Sequence, residues 1–267
     1  MKTFNISSKH LSVGIAVFLI AAFTLNSNAN VSSYNKNVLV PSVKEQLEKA
    51  KKDGKAVFLI ITGTGATGID NATKIAKDAK AKYSKSEIIT LNKDEAANSE
   101  LVKKYSIAYI PAPFFLVISP KGVAVAGFNI AQATADLLIK AIPSPKQDEV
   151  LLAISEKKPV FIIVSKKGLT DKANVVKNCK AASAKIASKP AVVEIDFNDA
   201  KETALLKQMG VTTIGDKTII IVSNASGQIA DRYEGITEET PLITSANKVI
   251  KSGGCCPNGS ANGCGKK

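Results

Sequence analysis

Three of the four cysteines lie close together near the end of the chain. Cys255 and Cys256 are adjacent, and Cys264 follows within a segment, 252–267, made mostly of Gly, Ser and Asn. Three thiolates suit a soft cation such as Cu(I), Zn or an arsenite-like species, and adjacent cysteines pair only in a strained disulfide that is easily reduced. The segment is therefore predicted to be a flexible tail that binds a soft metal or exchanges disulfides. The alternatives are an oxidised loop between Cys264 and one of the pair, or a disulfide link to another chain that gives a covalent oligomer.

The fourth cysteine is expected to be inert. Cys179 recurs at helical spacing with Val175, Ala182 and Ile186, which places all four on one apolar face of a predicted helix. A free thiol in that position behaves as a small buried hydrophobe.

The start of the chain has the layout of an export signal. Lys2 and Lys9 precede an uncharged, mostly apolar run over 11–25, and the small residues before and at Ala29 fit a cleavage site. This run is shorter than the roughly 20 residues that a spanning helix needs. We therefore expect cleavage after Ala29, a periplasmic or secreted protein, and no transmembrane anchor in the mature chain.

Loss of the signal narrows the chemistry available to the mature protein. The single histidine, His10, leaves with it, which removes Ser-His and Cys-His catalysis and any His-ligated metal site. The net charge falls from +13 to +11 because Lys2 and Lys9 also leave. All but one of the 36 basic residues are lysines, the exception being Arg232. Nucleic-acid readers favour arginine's planar fork, so a nucleic-acid partner is not expected.

The remainder of the chain contains a tandem repeat. Three segments recur in register at offsets of 103 or 104 residues, which is too long a period for a solenoid. The pairs are KAVFLIIT at 55–62 with KPVFIIVS at 158–165, LVKKYSIAYI at 101–110 with LLKQMGVTTI at 205–214, and FLVIS at 115–119 with IIIVS at 219–223. We therefore expect two related domains joined at a proline-containing linker. The predicted boundaries are a signal peptide at 1–29, an N-terminal linker at 30–41, domains at 42–143 and 144–251, and the tail at 252–267.

Each half predicts an α/β domain with a central mixed sheet flanked by helices. In the first half, the apolar run 57–61 is typical of a strand buried on both faces. A loop and an amphipathic helix follow it, and later the segments 114–119 and 123–128 form a hairpin. Helices before the central strand and after the hairpin complete the order, and the second half repeats it.

This order resembles the thioredoxin fold. The local likeness is carried by the strand 57–61 followed by a Gly-rich turn and a long helix, where thioredoxins have their active-site loop. The segment 105–111, which ends in Ile110-Pro111, looks like the one that carries the family's cis-proline. The likeness covers nearly all of the predicted mature chain and implies two tandem thioredoxin-like domains.

The chemistry that the resemblance implies is missing from both halves. The family's Cys-x-x-Cys holds a thiolate at a helix start, but here the corresponding positions contain no cysteine. They are Ala66, Thr67, Gly68 and Ile69 in the first half and Leu169, Thr170, Asp171 and Lys172 in the second. The family's buried carboxylate falls on Ile60 and Ile163, and the second cis-proline position falls on Gly215. Both domains are therefore predicted to be redox-inactive, with no catalytic residue.

Two features of these degenerate sites have a possible role. Thr67 and Thr170 have no obvious base to activate them, so we interpret them as helix caps. In the family, the cis-proline loop pairs with an extended peptide. Ile110, Pro111 and Ala112 could keep that function without a thiol, or Pro111 could be only a structural turn residue.

Three functions remain open from the sequence. The first is a protein- or peptide-binding module, similar to the non-catalytic domains of disulfide isomerases. The second is a protein that exchanges thiols or binds a soft metal through the tail. If this protein is an enzyme at all, it is an oxidoreductase. The third is an envelope component cross-linked through tail cysteines. The missing Cys-x-x-Cys favours the first and third, whereas the tail favours the second and third.

Overall fold

The computed structural model describes residues 41–250. The predicted export signal, the N-terminal linker before Pro41 and the cysteine tail lie outside these described residues. Within 41–250, no helix combines the length and the apolar character needed to cross a membrane.

The first domain consists of four strands and four helices. Helix α1 begins after Ser42, which forms a capping box with Glu45: each side chain bonds the other residue's backbone N–H. A short 3₁₀ turn at Ala96–Asn98 precedes helix α3. The elements are α1 (Val43–Lys52), β1 (Ala56–Thr62), α2 (Ile69–Lys82), β2 (Ser86–Asn92), α3 (Ser99–Lys104), β3 (Phe114–Ile118), β4 (Ala124–Asn129) and α4 (Ala135–Lys140).

The second domain repeats this order. Helix α5 begins after Ser144, whose side chain accepts from the Gln147 N–H, and Pro145 occupies its first turn. A 3₁₀ turn at Ala200–Glu202 again precedes the third helix. The elements are α5 (Pro145–Ser155), β5 (Val160–Ser165), α6 (Lys172–Lys185), β6 (Ala191–Asp196), α7 (Thr203–Gln208), β7 (Ile219–Ser223), β8 (Ile229–Glu234) and α8 (Glu239–Ala246).

The two sheets have the same topology. Their strand orders are β2-β1-β3-β4 and β6-β5-β7-β8. In each, the central strand runs parallel to one neighbour and antiparallel to the hairpin strand on its other side. A parallel βαβ unit followed by an antiparallel hairpin, with helices on both faces, confirms the expectation of two tandem thioredoxin-like domains.

The central strands β1 and β5 are buried along their whole length. Alternate side chains enter two separate apolar clusters, one on each face of the sheet. Leu59 packs with helices α1 and α3, whereas Phe58 packs with α2 and α4. Ile162 and Phe161 divide in the same way in the second domain.

The strand pairing shows that the sequence comparison misaligned the hairpins of the two domains by one residue. Val57 lies opposite Ile118, whereas its counterpart Val160 lies opposite Ser223. The hairpin strands are therefore related by 105 residues, not the 104 expected from the sequence. One additional residue lies between helix α7 and strand β7, and it shifts each counterpart in this region by one position.

A buried aspartate joins the two domains. Asp148, in the first two turns of α5, is only 2% exposed, and its Oδ2 accepts from the Lys121 N–H in the β3–β4 turn at 3.0 Å. Its Oδ1 has no hydrogen-bond partner within the described part of the chain. Burial raises the pKa of this carboxyl above its ordinary value. The contact between the domains therefore depends on a hydrogen bond to the Asp148 carboxyl, a group that is costly to ionise because it is buried.

We expect Asp148→Asn to stabilise the protein at neutral pH. The amide oxygen can still accept from Lys121, but no charge is buried. Because the folded pKa lies above that of the unfolded chain, wild-type stability falls as pH rises through the raised pKa. The variant's advantage in Tm at pH 7 should therefore disappear below about pH 4, near the pKa of an unfolded aspartate.

Thermal unfolding across that pH range measures this difference. Asp78→Asn, on the exposed side of α2, controls for the loss of one negative charge. A stability difference for Asp148→Asn that does not change with pH would contradict the argument.

Candidate functional site

The first candidate site lies where strand β1 ends and helix α2 begins. Gly68 occupies the N-cap position with φ +84°, and no side chain caps this helix. The interpretation of Thr67 and Thr170 as caps is therefore wrong: the N-cap residues are Gly68 and Asp171, each one position later. Thr67 is exposed and points to no partner within the described residues.

The cis-proline loop is displaced from its expected position. The cis peptide bond joins Ala112 and Pro113, not Ile110 and Pro111. Pro111 is exposed, whereas Pro113 is buried immediately before strand β3. The assignment of Pro111 as the cis-proline is therefore a misplacement by two residues, made because the sequence offered two prolines before one strand.

Two adjacent residues after strand β2 connect the three loops around this site. Lys93 Nζ donates to the carbonyls of Ala108 and Ile110, at 3.1 and 2.7 Å. Asp94 Oδ2 accepts from the Thr64 N–H at 2.6 Å, in the loop that leads to α2. This hydrogen bond lowers the pKa of the Asp94 carboxyl. Side chains from one loop therefore fix the loops on either side of it.

Gly63 leaves room for the same arrangement. A Cβ at this position would lie 2.9 Å from Asp94 Oδ2 and 3.2 Å from Lys93 Cε. The side chains of Lys93 and Asp94 therefore occupy the space that a larger residue at position 63 would need.

The residues that were predicted to bind peptide divide into two kinds. The Ile110 carbonyl already accepts from Lys93. In contrast, the N–H and carbonyl of Ala112 have no hydrogen-bond partner among residues 41–250. Tyr109 is 99% exposed, and Ile69 at the start of α2 is 36% exposed. Unpaired backbone groups and exposed apolar side chains thus occur together in these two loops.

The second domain has a side-chain contact at the equivalent position. The register of β7 makes Thr218 the counterpart of Pro113, instead of Gly215 as the sequence suggested for the cis-proline position. Thr218 donates to Asp171 through both its backbone N–H, at 2.9 Å, and its hydroxyl, at 2.7 Å. In the first domain, Gly68 replaces Asp171 and supplies no carboxylate. Pro113 replaces Thr218 and supplies no N–H.

A lysine also supports the loop of the second domain, but from another position. Lys166, directly after β5, donates to the Ile214 carbonyl at 3.0 Å. Ile214 is the counterpart of Ile110, whereas Lys166 is the counterpart of Gly63 and not of Lys93. In both domains a lysine ammonium group therefore donates to the equivalent carbonyl, but the two lysines follow different strands.

Sequence reasoning missed these polar contacts. Lysine is common throughout the chain, so Lys93 and Lys166 carry no signal by composition. Asp171 was noted only as a degenerate active-site position, and its partner Thr218 was not identified. The sequence offered no local signal for this pair, because the two residues are 47 positions apart and the missing proline position was assigned to Gly215.

The thiol in the second domain is isolated from solvent. Cys179 is 0% exposed and packs with Val175 and Ala182, as predicted. Burial raises the pKa of this thiol to about 12, which keeps it protonated and unreactive. Within residues 41–250, no group of three His, Cys, Asp or Glu residues is arranged to hold a metal ion. The tail cysteines Cys255, Cys256 and Cys264 lie outside the described residues.

No family model and no curated protein matches the chain. Solved structures of redox-related proteins are similar at low identity. Thioredoxin NaTrxh from Nicotiana alata is 16% identical, over 36% of this chain and 78% of its own, with a TM-score of 0.29. The first two thioredoxin domains of Eps1p from Saccharomyces cerevisiae are 10% identical, over 76% and 96% of the respective chains, with a TM-score of 0.28. The N-terminal domain of alkylhydroperoxide reductase AhpF from Enterococcus faecalis is 14% identical, over 78% and 99%, with a TM-score of 0.23.

Replacing Lys93 should loosen the loops of the first domain. We expect Lys93→Met to lower the free energy of unfolding by about 1 kcal/mol, because two carbonyls lose a charged donor at a half-buried position. Denaturant unfolding measures this loss. Lys77→Met, on the exposed side of α2, is the matched control and should change stability little. Equal effects of the two substitutions would show that Lys93 does not hold the loops.

Proposed function

We propose that the chain is an exported, redox-inactive binding protein whose first domain holds an extended polypeptide. The peptide lies against the loop before β3 and the start of α2. The observation that carries this proposal is the difference between the two domains: Asp171 and Thr218 are bonded together in one, and Gly68 and Pro113 leave the same position without that bond in the other.

The available groups fit a backbone ligand. Ala112 offers an unpaired N–H and an unpaired carbonyl, the donor and acceptor that an added strand requires. Tyr109, three residues earlier in the same loop, and Ile69, at the start of α2, offer exposed apolar surface. Exposed aromatic side chains contribute strongly to binding when a partner buries them.

Charge favours an acidic or neutral polypeptide. The predicted mature chain, without Lys2 and Lys9, carries a formal charge of +11, down from +13, which attracts anionic partners and accelerates their association. Lys93 is engaged with carbonyls, so it supports the loop instead of contributing a free charge to the ligand. Selectivity for one sequence is therefore expected to come from apolar contacts, with a general preference for acidic chains.

Tyr109→Ala should weaken binding without affecting the fold. The side chain is almost wholly exposed, so its loss removes ligand contact and little else. We expect a loss of affinity of about tenfold for an unfolded, permanently carboxymethylated polypeptide, measured by fluorescence anisotropy. Thr213→Ala changes the counterpart in the second domain and should leave affinity unchanged. Binding that is equal in all three proteins would place the ligand elsewhere.

The tail supports a second proposal, that Cys255, Cys256 and Cys264 bind a soft metal or exchange disulfides. The burial of Cys179 favours it, since this thiol is inaccessible and any accessible thiol chemistry therefore belongs to the tail. The segment contains its own cations, Lys266 and Lys267, which favour thiolate. The third possibility, a disulfide-linked envelope component, uses the same thiols and differs only in their partner.

Replacing the three tail cysteines by serine tests this second proposal. We expect the full chain to bind one Cu(I) and the variant none, in a competition assay with a chromophoric chelator. The thermal midpoint should not change, and the variant should reduce no insulin disulfide. A variant that binds Cu(I) as tightly as the full chain would contradict the tail proposal. Insulin reduction by the variant would instead contradict the redox-inactive assignment.

A further inference from the structure

The four edge strands of the two sheets differ in how they are protected. An edge strand leaves backbone donors and acceptors unpaired, and natural proteins usually guard it with charged side chains. Strand β2 carries Glu87, which pairs with Lys55 and Lys80. Strand β6 carries Glu194, which pairs with Lys172.

Strand β8 is the most heavily guarded edge. Asp231 pairs with Lys248 at 3.3 Å, and Arg232 lies 3.8 Å from Glu234. Lys248 Nζ also donates to the backbone carbonyl of Ala230, at 3.2 Å. A charged side chain therefore already occupies part of this edge.

Strand β4, the counterpart of β8, has none of these features. No charged residue occurs anywhere from 122 to 135. Among the described residues, no side chain donates to the backbone between Ala124 and Phe128, and the strand pairs only with β3. Ala124 and Asn129 at its ends are exposed. The same edge is thus partly occupied by a side chain in the second domain and, within residues 41–250, unoccupied in the first.

We infer that β4 is a self-association edge, which pairs antiparallel with β4 of a second copy of this chain. A two-fold axis brings identical strands together. A charged residue on the strand would therefore lie near a like charge of the second copy or have no oppositely charged partner. The absence of charge over this length removes that obstacle. The predicted mature chain has a net charge of +11, down from +13 with the signal, so copies repel one another over most of their surface, which makes an uncharged edge the favourable place for contact.

The pairing joins two four-stranded sheets into one of eight strands. Backbone hydrogen bonds provide the association, and the small residues Ala124, Ala126 and Gly127 allow close approach of the second strand. Strand β4 is six residues long and carries a bulge at Val125, so the paired segment is short and the dimer is of the weak, concentration-dependent class.

Sedimentation of the full chain, kept reduced to prevent disulfide links through the tail, tests the inference. We expect wild type to dimerise reversibly as its concentration rises. Ala124→Lys should raise the dimer dissociation constant by about tenfold or more, because two unpaired ammonium groups enter the interface. Ile229→Lys is the matched control: Ile229 is opposite Ser223 as Ala124 is opposite Ile118, and it is 52% exposed. This control should leave dimerisation unchanged.

Hydrogen exchange provides a second measurement that does not depend on a substitution. Amides of 124–129 should gain protection with concentration, and those of 229–234 should not. A wild-type chain that remains monomeric up to about 1 mM overturns the inference. Equal effects of the two lysine substitutions, or protection that rises elsewhere while 124–129 is unchanged, also overturn it.

Discussion

The burial of the central strands on both faces is the constraint on which the rest of the molecule depends. Every residue of β1 and of β5 is buried, and each strand divides its side chains between two apolar clusters. An isolated charge in such a strand would be costly. Ile60 and Ile163 therefore stand where the resemblance to thioredoxins implied a carboxylate, and polar chemistry is confined to the loops at the strand ends.

Those loops need polar support because their backbone groups cannot all pair in a sheet. In the first domain, Lys93 and Asp94 hold the loops on either side of them. In the second, Lys166 and Asp171 perform the corresponding task. The difference is in the side chains: Asp171 accepts from the N–H and the hydroxyl of Thr218, whereas Gly68 and Pro113 stand at those positions in the first domain and form no such contact. The duplicated fold is therefore conserved in its core and divergent in its loops.

The sequence was sufficient for the fold because its signals are local and repeated. A continuous apolar run before an amphipathic helix, found twice at nearly the same spacing, specified the βαβ units. The burial of Cys179 followed from helical periodicity in the same way. The displacement of the cis bond to Pro113 was not predictable in this way, since Pro111 and Pro113 both precede the same strand. The contact between Asp171 and Thr218 was also out of reach, because it joins residues 47 positions apart through side-chain geometry.

The two lysine arrangements also bear on how the duplicated domains could have evolved. Domain one has Gly63 with Lys93, and domain two has Lys166 with Phe197 at the corresponding positions. A lysine introduced at position 63 would collide with Lys93 and Asp94, whereas loss of Lys93 alone would leave two carbonyls without their donor. Each first step disturbs a loop contact, so an exchange between the two forms requires coupled substitutions. Descendants of the ancestral domain are therefore expected to retain one arrangement or the other as an inherited pair, and the choice can serve as a lineage marker when the overall sequence similarity has faded.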